Sequence, residues 1–262
     1  MKGTLWAITA EALDFLMSEI GQGDDFRKAD ALRIGSRGAV AGEGLEFVSD
    51  SVLKAVSGSG SVSAKISKDG IAVIPVQGIL SKEGITSFWT GNKLSQGYRD
   101  IKQAVVSAAE DPAVKAVVLK IDSPGGAVDG CQELASCIAE AGKSKPFYAF
   151  ADGQATSAAY WIASAASHIA APETAVIGSI GVRTVHADYS AWNEKAGVRY
   201  THITAGDYKA AGNEDSPLDD SSLGYIRSQL QAIWDIFTRD VALNRGIGQQ
   251  SVKNQQAKVF LA

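Results

Sequence analysis

Hydrolysis of an acyl bond needs a nucleophile, a base within hydrogen-bond reach of it, and N–H donors for the oxyanion. The sequence holds a candidate for each role. Ser157 stands among small residues in Ala155-Thr156-Ser157-Ala158-Ala159, followed by Tyr160 and Trp161. In the first turn of a helix it would meet unpaired N–H groups and the positive end of the helix dipole, which favour developing negative charge. Its alanine neighbours leave room for a substrate backbone. A serine in such a place can equally be an ordinary helix cap, so the assignment rests on what accompanies it.

The companion on the donor side is Asp122-Ser123-Pro124-Gly125-Gly126, directly after an apolar run. Paired glycines present backbone N–H groups that no side chain obstructs. Alone, such a pair is just a tight turn. For the base, His168, His186 and His202 lie in neither glycine-rich nor acidic settings and read as ordinary strand or surface histidines. A lysine can replace histidine, because burial in an apolar pocket penalises the ammonium and leaves an amine able to accept the serine proton. Lys209, in the small-residue loop Gly206-Asp207-Tyr208-Lys209-Ala210, is that candidate, against the ordinary alternative of a solvated surface lysine.

These residues need a scaffold. Short apolar runs at residues 71–76, 116–121 and 147–151 fit strands buried on both faces, with helical patterns at 94–110 and 130–141 between them. Alternation of this kind predicts a parallel sheet with right-handed crossovers. Segments 167–182 and 198–205 continue it, the latter as a strand at 200–204 leading into the Lys209 loop. A long helix is predicted over about 221–244, with Leu223, Ile226, Leu230, Ile233, Ile236, Phe237 and Val241 at helical spacing, and with Trp234 and Phe237 as core or subunit-contact residues.

Residues 1–65 differ in texture: an amphipathic helical pattern, then Gly/Ser-rich stretches at 35–44 and 57–63, expected to be an appendage and linker ahead of a catalytic domain over 66–262. The domain is expected to run on past Ala262. Glu11, Asp14 and Glu19 interrupt any signal-type apolar stretch, and no apolar run is long enough to span a bilayer, so a cytoplasmic protein without a membrane span is expected. With 25 Lys and Arg against 29 Asp and Glu there is no basic excess to attract nucleic acid. Cys131 and Cys137 give no metal-ligand pattern and are expected to be reduced.

Taken in order, four segments resemble the signal peptide peptidase A family of serine peptidases, and within it the bacteriophage prohead protease C type. They are the Ser-Pro-Gly-Gly after a strand, the small-residue serine segment with its aromatic pair, Gly178-Ser179-Ile180-Gly181-Val182, and the Gly-x-x-Lys loop ending at Lys209. The resemblance covers residues 70–262, and the serine-to-lysine separation is like that of shorter, single-domain members.

The resemblance implies an α/β fold of the Clp protease/crotonase-like type, a spiral of ββα units with a largely parallel sheet. It implies a Ser/Lys dyad of Ser157 and Lys209, with Ser179 holding the amine, Gly126 and Ala158 donating to the oxyanion, and Gly125, Tyr160 and Ile180 lining the substrate site. It implies no metal or cofactor, a peptide or protein substrate such as a capsid scaffold or portal-associated protein, and a homo-oligomeric ring or dome, with the dyad closed within or between subunits. The membrane anchor of signal-peptide-degrading members is missing, and residues 210–218 resemble the phage type more. Rival readings are a bacterial signal-peptide or cytoplasmic peptide-degrading peptidase of the same family, a crotonase-type acyl-CoA enzyme and a non-catalytic capsid component.

Overall fold

A computed structural model of the chain describes residues 6–8, 54–56, 62, 64–86 and 93–262. The core of the sheet is three long parallel strands, β4 (Ile71–Ser81), β7 (Ala116–Ala127) and β8 (Phe147–Thr156). Two strands run parallel to β8 along its outer edge, β9 (His168–Ala170) and then β10 (Val176–Gly178). Antiparallel strands finish both ends: β11 (Val259–Leu261) on β10, and β3 (Ala64–Ile66) then β2 (Lys54–Val56) on β4. A hairpin of β5 (Ile85–Thr86) and β6 (Lys93–Gly97) joins the far end of β4 through β6, and β1 (Trp6–Ile8) joins the far end of β7. This is the expected α/β class with a largely parallel sheet.

Each long strand starts at the predicted apolar run but continues beyond it into polar and glycine residues. Burial along them alternates. Ala72, Ile74, Val76, Val117, Leu119, Ile121, Phe147, Ala149 and Ala151 are buried, whereas Tyr148 and Phe150 are exposed. The expectation of strands buried on both faces is therefore corrected: helices α1 (Tyr98–Glu110), α2 (Cys131–Ala141) and α3 (Ala158–Ser164) cover one face. The helix predicted from residue 94 begins at Tyr98, because residues 93–97 pair as β6.

The long helix is present as α5 (Asp220–Arg245), after the short α4 (Ser190–Lys195) and before α6 (Gln249–Lys253). Asp219 caps α5 by accepting from the Ser222 N–H at 2.7 Å, and Gly246 closes it in the left-handed conformation. Its C-terminal half enters the core, where Phe237 is fully buried and stacks on Trp161 of α3 with ring centroids 4.3 Å apart. Burial of a Phe side chain is worth about 1.5–3 kcal/mol, and the stack adds roughly 0.5–1.5 kcal/mol. The N-terminal half of α5 leaves the core and meets the segment that carries Lys209.

Two expectations about the flanking segments change. The strand expected at 200–204 is absent: these residues form no strand, Tyr200 is exposed and Ile203 is 94% exposed. Of the expected N-terminal appendage, Trp6–Ile8, Lys54–Val56 and Ala64–Ile66 are strands of the main sheet. The remainder of the helical pattern and the Gly/Ser-rich stretches lies outside the described residues. Cys131 is buried and Cys137 half-buried, both as free thiols.

Candidate active site

β8 turns into α3 at Ser157. Both small flanking residues and the turn itself follow from how little room there is: Ala155, Thr156, Ala158 and Ala159 are all fully buried. Ser157 has φ 55° and ψ −121°, a backbone conformation that costs a non-glycine residue about 1–3 kcal/mol. Its side chain makes no capping hydrogen bond, so the ordinary helix-cap alternative does not describe it. Instead the Ser157 N–H donates to the Gly178 carbonyl at 2.8 Å, and its hydroxyl points toward the Gly181 carbonyl at 3.5 Å. A strained serine at a sharp strand-to-helix corner is the geometry that presents a nucleophile. The residue itself is only 1% exposed.

The segment after β10 wraps this corner. Gly178 pairs with Thr156 across the sheet, which sets Ser179 beside Ser157. Ser179 also has a positive φ, 54°, and its N–H donates to the Lys258 carbonyl at 2.8 Å. A Cβ on Gly178 would lie 2.8 Å from that same carbonyl, so only glycine fits. Ile180 is buried, and its carbonyl accepts from the Trp234 indole N–H at 2.9 Å, fastening the segment to α5. Tyr160 is half-buried, and burial pushes its phenol up, with Arg245 acting in the opposite direction. The guanidinium of Arg245 donates to the Ala166 carbonyl at 2.8 Å just beyond α3.

The glycine pair lies at the end of β7. The Ser123 hydroxyl donates to the Gly78 carbonyl at 2.6 Å and accepts from the Gly125 N–H at 3.1 Å. Ser123 thus holds the irregular ends of β4 and β7 in register, a positioning role that the sequence reading did not assign. The Gly125 N–H is engaged there. Gly126 runs against β4 so closely that a Cβ would stand 1.9 Å from the Leu80 carbonyl oxygen. Any substitution at Gly126 therefore distorts the sheet. Ala158 opens α3, where its N–H has no partner within the helix.

Asp122 lies in β7 just before this turn. Asp122 is pushed up by burial first and by neighbouring Asp152 second, while the Gln154 N–H and Lys120 pull it down. The histidines are occupied elsewhere: His168 stacks on Tyr148, His186 bonds the Asn213 carbonyl at 2.7 Å, and His202 pairs with Asp215 at 3.2 Å.

Lys209 is not brought to Ser157 in this way. It is exposed, in a turn closed by its own N–H to the Gly206 carbonyl at 3.2 Å. Its neighbour Tyr208 stacks on Tyr225, ring centroids 4.7 Å apart, and Gly212 abuts Ile226, both in the N-terminal half of α5. The serine corner instead meets α5 at Trp234 and Phe237. From Tyr225 to Trp234 is about 14 Å along a helix axis. The expected apolar pocket around the amine is therefore not formed by its own loop.

Comparison with known proteins matches residues 139–262 to the model of peptidase family S49. Capsid assembly protease C of Escherichia phage lambda is 37% identical over 193 residues, covering 73% of this chain and 43% of that protein. Head-tail preconnector protein GP5 of Enterobacteria phage P21 is 34% identical over 194 residues, covering 73% and 38%. The chain thus spans about two fifths of the length of these relatives. Among solved structures, a mutant form of the 1510-N membrane-bound stomatin-specific protease aligns over 75% of this chain and 74% of its own with 13% identity and a TM-score of 0.45. No described helix is long and apolar enough to cross a membrane. The matched segment takes in the Ser157 corner, the Ser179 segment and the Lys209 loop, and the chain belongs to peptidase family S49, with a phage capsid assembly protease among its relatives.

Proposed function

We infer that the protein is a serine endopeptidase in which Ser157 attacks the scissile carbonyl and Lys209, supplied by a neighbouring copy, takes its proton. The observation that carries the nucleophile is the strained, uncapped backbone of Ser157 at the strand-to-helix corner, inside the segment matched to a peptidase family. Gly126 and Ala158 supply N–H groups to the oxyanion, and Ser179 orients the amine. The lysine ammonium gives the proton taken from Ser157 to the leaving amine as the acyl-enzyme forms; the neutral amine then takes a proton from the attacking water and returns it to the Ser157 oxygen as the acid product leaves. Tyr160 and Ile180 line the substrate site.

A dyad between copies is supported by what surrounds Lys209. The segment that carries it exposes Val185, Tyr189, Trp192, Tyr200 and Ile203, more apolar surface than an isolated arm keeps in water. Covering that arm with a second copy would desolvate the amine and favour its neutral form. Ring or dome assembly repeats such a head-to-tail contact until it closes.

The substrate is proposed to be a phage scaffold or portal-associated protein cut during head assembly, a reading supported by the two phage relatives. Exposure of the purified chain to a fluorophosphonate tests the nucleophile. Labelling that is lost in Ser157→Ala is expected, and an unlabelled wild-type chain would favour a non-catalytic capsid component. Mass spectrometry after co-expression with head proteins then identifies the substrate and the cut.

A further inference from the structure

Beyond Ser123, which pairs with Ala155, β8 leaves β7 to make the corner at Ser157. β7 continues through Ala127. Its other edge remains paired with β4 as far as Leu80 opposite Gly126. The edge opened by the departure of β8 is therefore the one that faces the nucleophile. That edge is filled by β1, antiparallel, with Ile8 opposite Gly125, Ala7 opposite Gly126 and Trp6 opposite Ala127.

An open strand edge is a template for an extended peptide, with main-chain hydrogen bonds giving affinity. We propose that Trp6–Ile8 occupies the strand position of a substrate and holds the enzyme closed until it is displaced. The proposal rests on Ser157 being the nucleophile and Gly126 an oxyanion donor. Two further observations agree with it. Ser157 is 1% exposed, so some element must move before a protein substrate can reach its hydroxyl. And β1 is the element built to move: it has three residues and, among the described residues, pairs with β7 alone, whereas β8 and β10 at the corner are tied into the sheet on both edges. A three-residue strand with one partner is marginal by itself.

The occupant acts as an intramolecular competitor. If β1 fills the edge in about nine molecules of ten, an incoming strand sees a roughly tenfold weaker site. The full chain carrying Ala7→Pro and Ile8→Pro loses the N–H groups of consecutive residues, so whichever of the two faces β7 is removed from the ladder. The probe is a fluorescein-labelled peptide of residues 3–11, followed by fluorescence anisotropy, with fluorophosphonate labelling of Ser157 as a second readout. The double variant is expected to bind the peptide about tenfold tighter than the wild type does. Equal binding by both chains, or binding by neither, overturns the proposal. Labelling of Ser157 alongside equal peptide binding would remove β1 occupancy and leave the peptidase reading standing. A difference in peptide binding with no labelling of either chain would do the reverse.

Discussion

Mixing two dead variants is the sharpest test of where the dyad closes. Lys209 sits on a loop anchored to α5 near Tyr225, and Ser157 on a corner anchored near Trp234 and Phe237. Lys209 is exposed, whereas Ser157 is buried with its hydroxyl toward the Gly181 carbonyl. Ser157→Ala and Lys209→Ala should each abolish cleavage and leave the melting temperature nearly unchanged, since one replaces a hydroxyl and the other an exposed amine. Co-expressed in equal amounts, they should regain activity. When each site draws its serine from one copy and its lysine from the next, about one site in four receives both intact residues. The assay is cleavage of a co-expressed head protein by the purified mixed assembly, with the Ser157→Ala/Lys209→Ala double variant mixed with wild type as the calibration. Activity no greater than the sum of the separate variants would refute closure between copies and require the arm to fold back within its own chain.

Four other outcomes follow from the packing. Gly126→Ala should destabilise the fold by about 3 kcal/mol because its Cβ would stand 1.9 Å from the Leu80 oxygen, and urea denaturation should show this independently of activity. Thr156→Val should raise stability by about 1 kcal/mol, since the Thr156 hydroxyl is buried without a hydrogen-bond partner; a loss in thermal melting would mean that the hydroxyl is satisfied in solution. Phe237→Ala should cost about 3–5 kcal/mol by emptying the place under Trp161, and a loss below about 1 kcal/mol by the same denaturation would contradict the role given to the stack. Asp122 is raised in the folded chain, so its contribution to stability is full below the ordinary carboxylate value and is lost as pH rises through the raised one. Asp122→Asn should accordingly flatten the stability profile just above the ordinary carboxylate range, and an unchanged slope in melts across that range would argue that the carboxyl is solvated.

The parts of the site that were legible beforehand are those specified by local chemistry. Small residues around Ser157 and the glycine pair at 125–126 can be recognised because tight turns and close backbone approach leave few other choices. Apolar periodicity likewise located α5 within a residue at each end. What could not be read is what depends on partners distant in the chain. Nothing near residue 6 announces an antiparallel neighbour at Gly125–Ala127, and the helical pattern around it points the other way. The run at 200–204 has strand composition but pairs with no described strand. Ser123 looks like one more turn serine, and its bridge to Gly78 exists only because the register of β4 against β7 shifts beside it. The positive φ of Ser157 and Ser179 had one usable signal, a glycine or alanine close by where bulk would not fit.

Helix α5 has a mechanical consequence. At 26 residues it is a rod of about 39 Å, and from Tyr225 to Arg245 it contains neither glycine nor proline at which to hinge. One end bears the aromatic arm; the other is bolted to α3 through the Trp161–Phe237 stack, Asn244 on the Ser164 hydroxyl and Arg245 on the Ala166 carbonyl. A load applied to the arm must tilt the whole rod, and the seat of Ser157 moves with its far end.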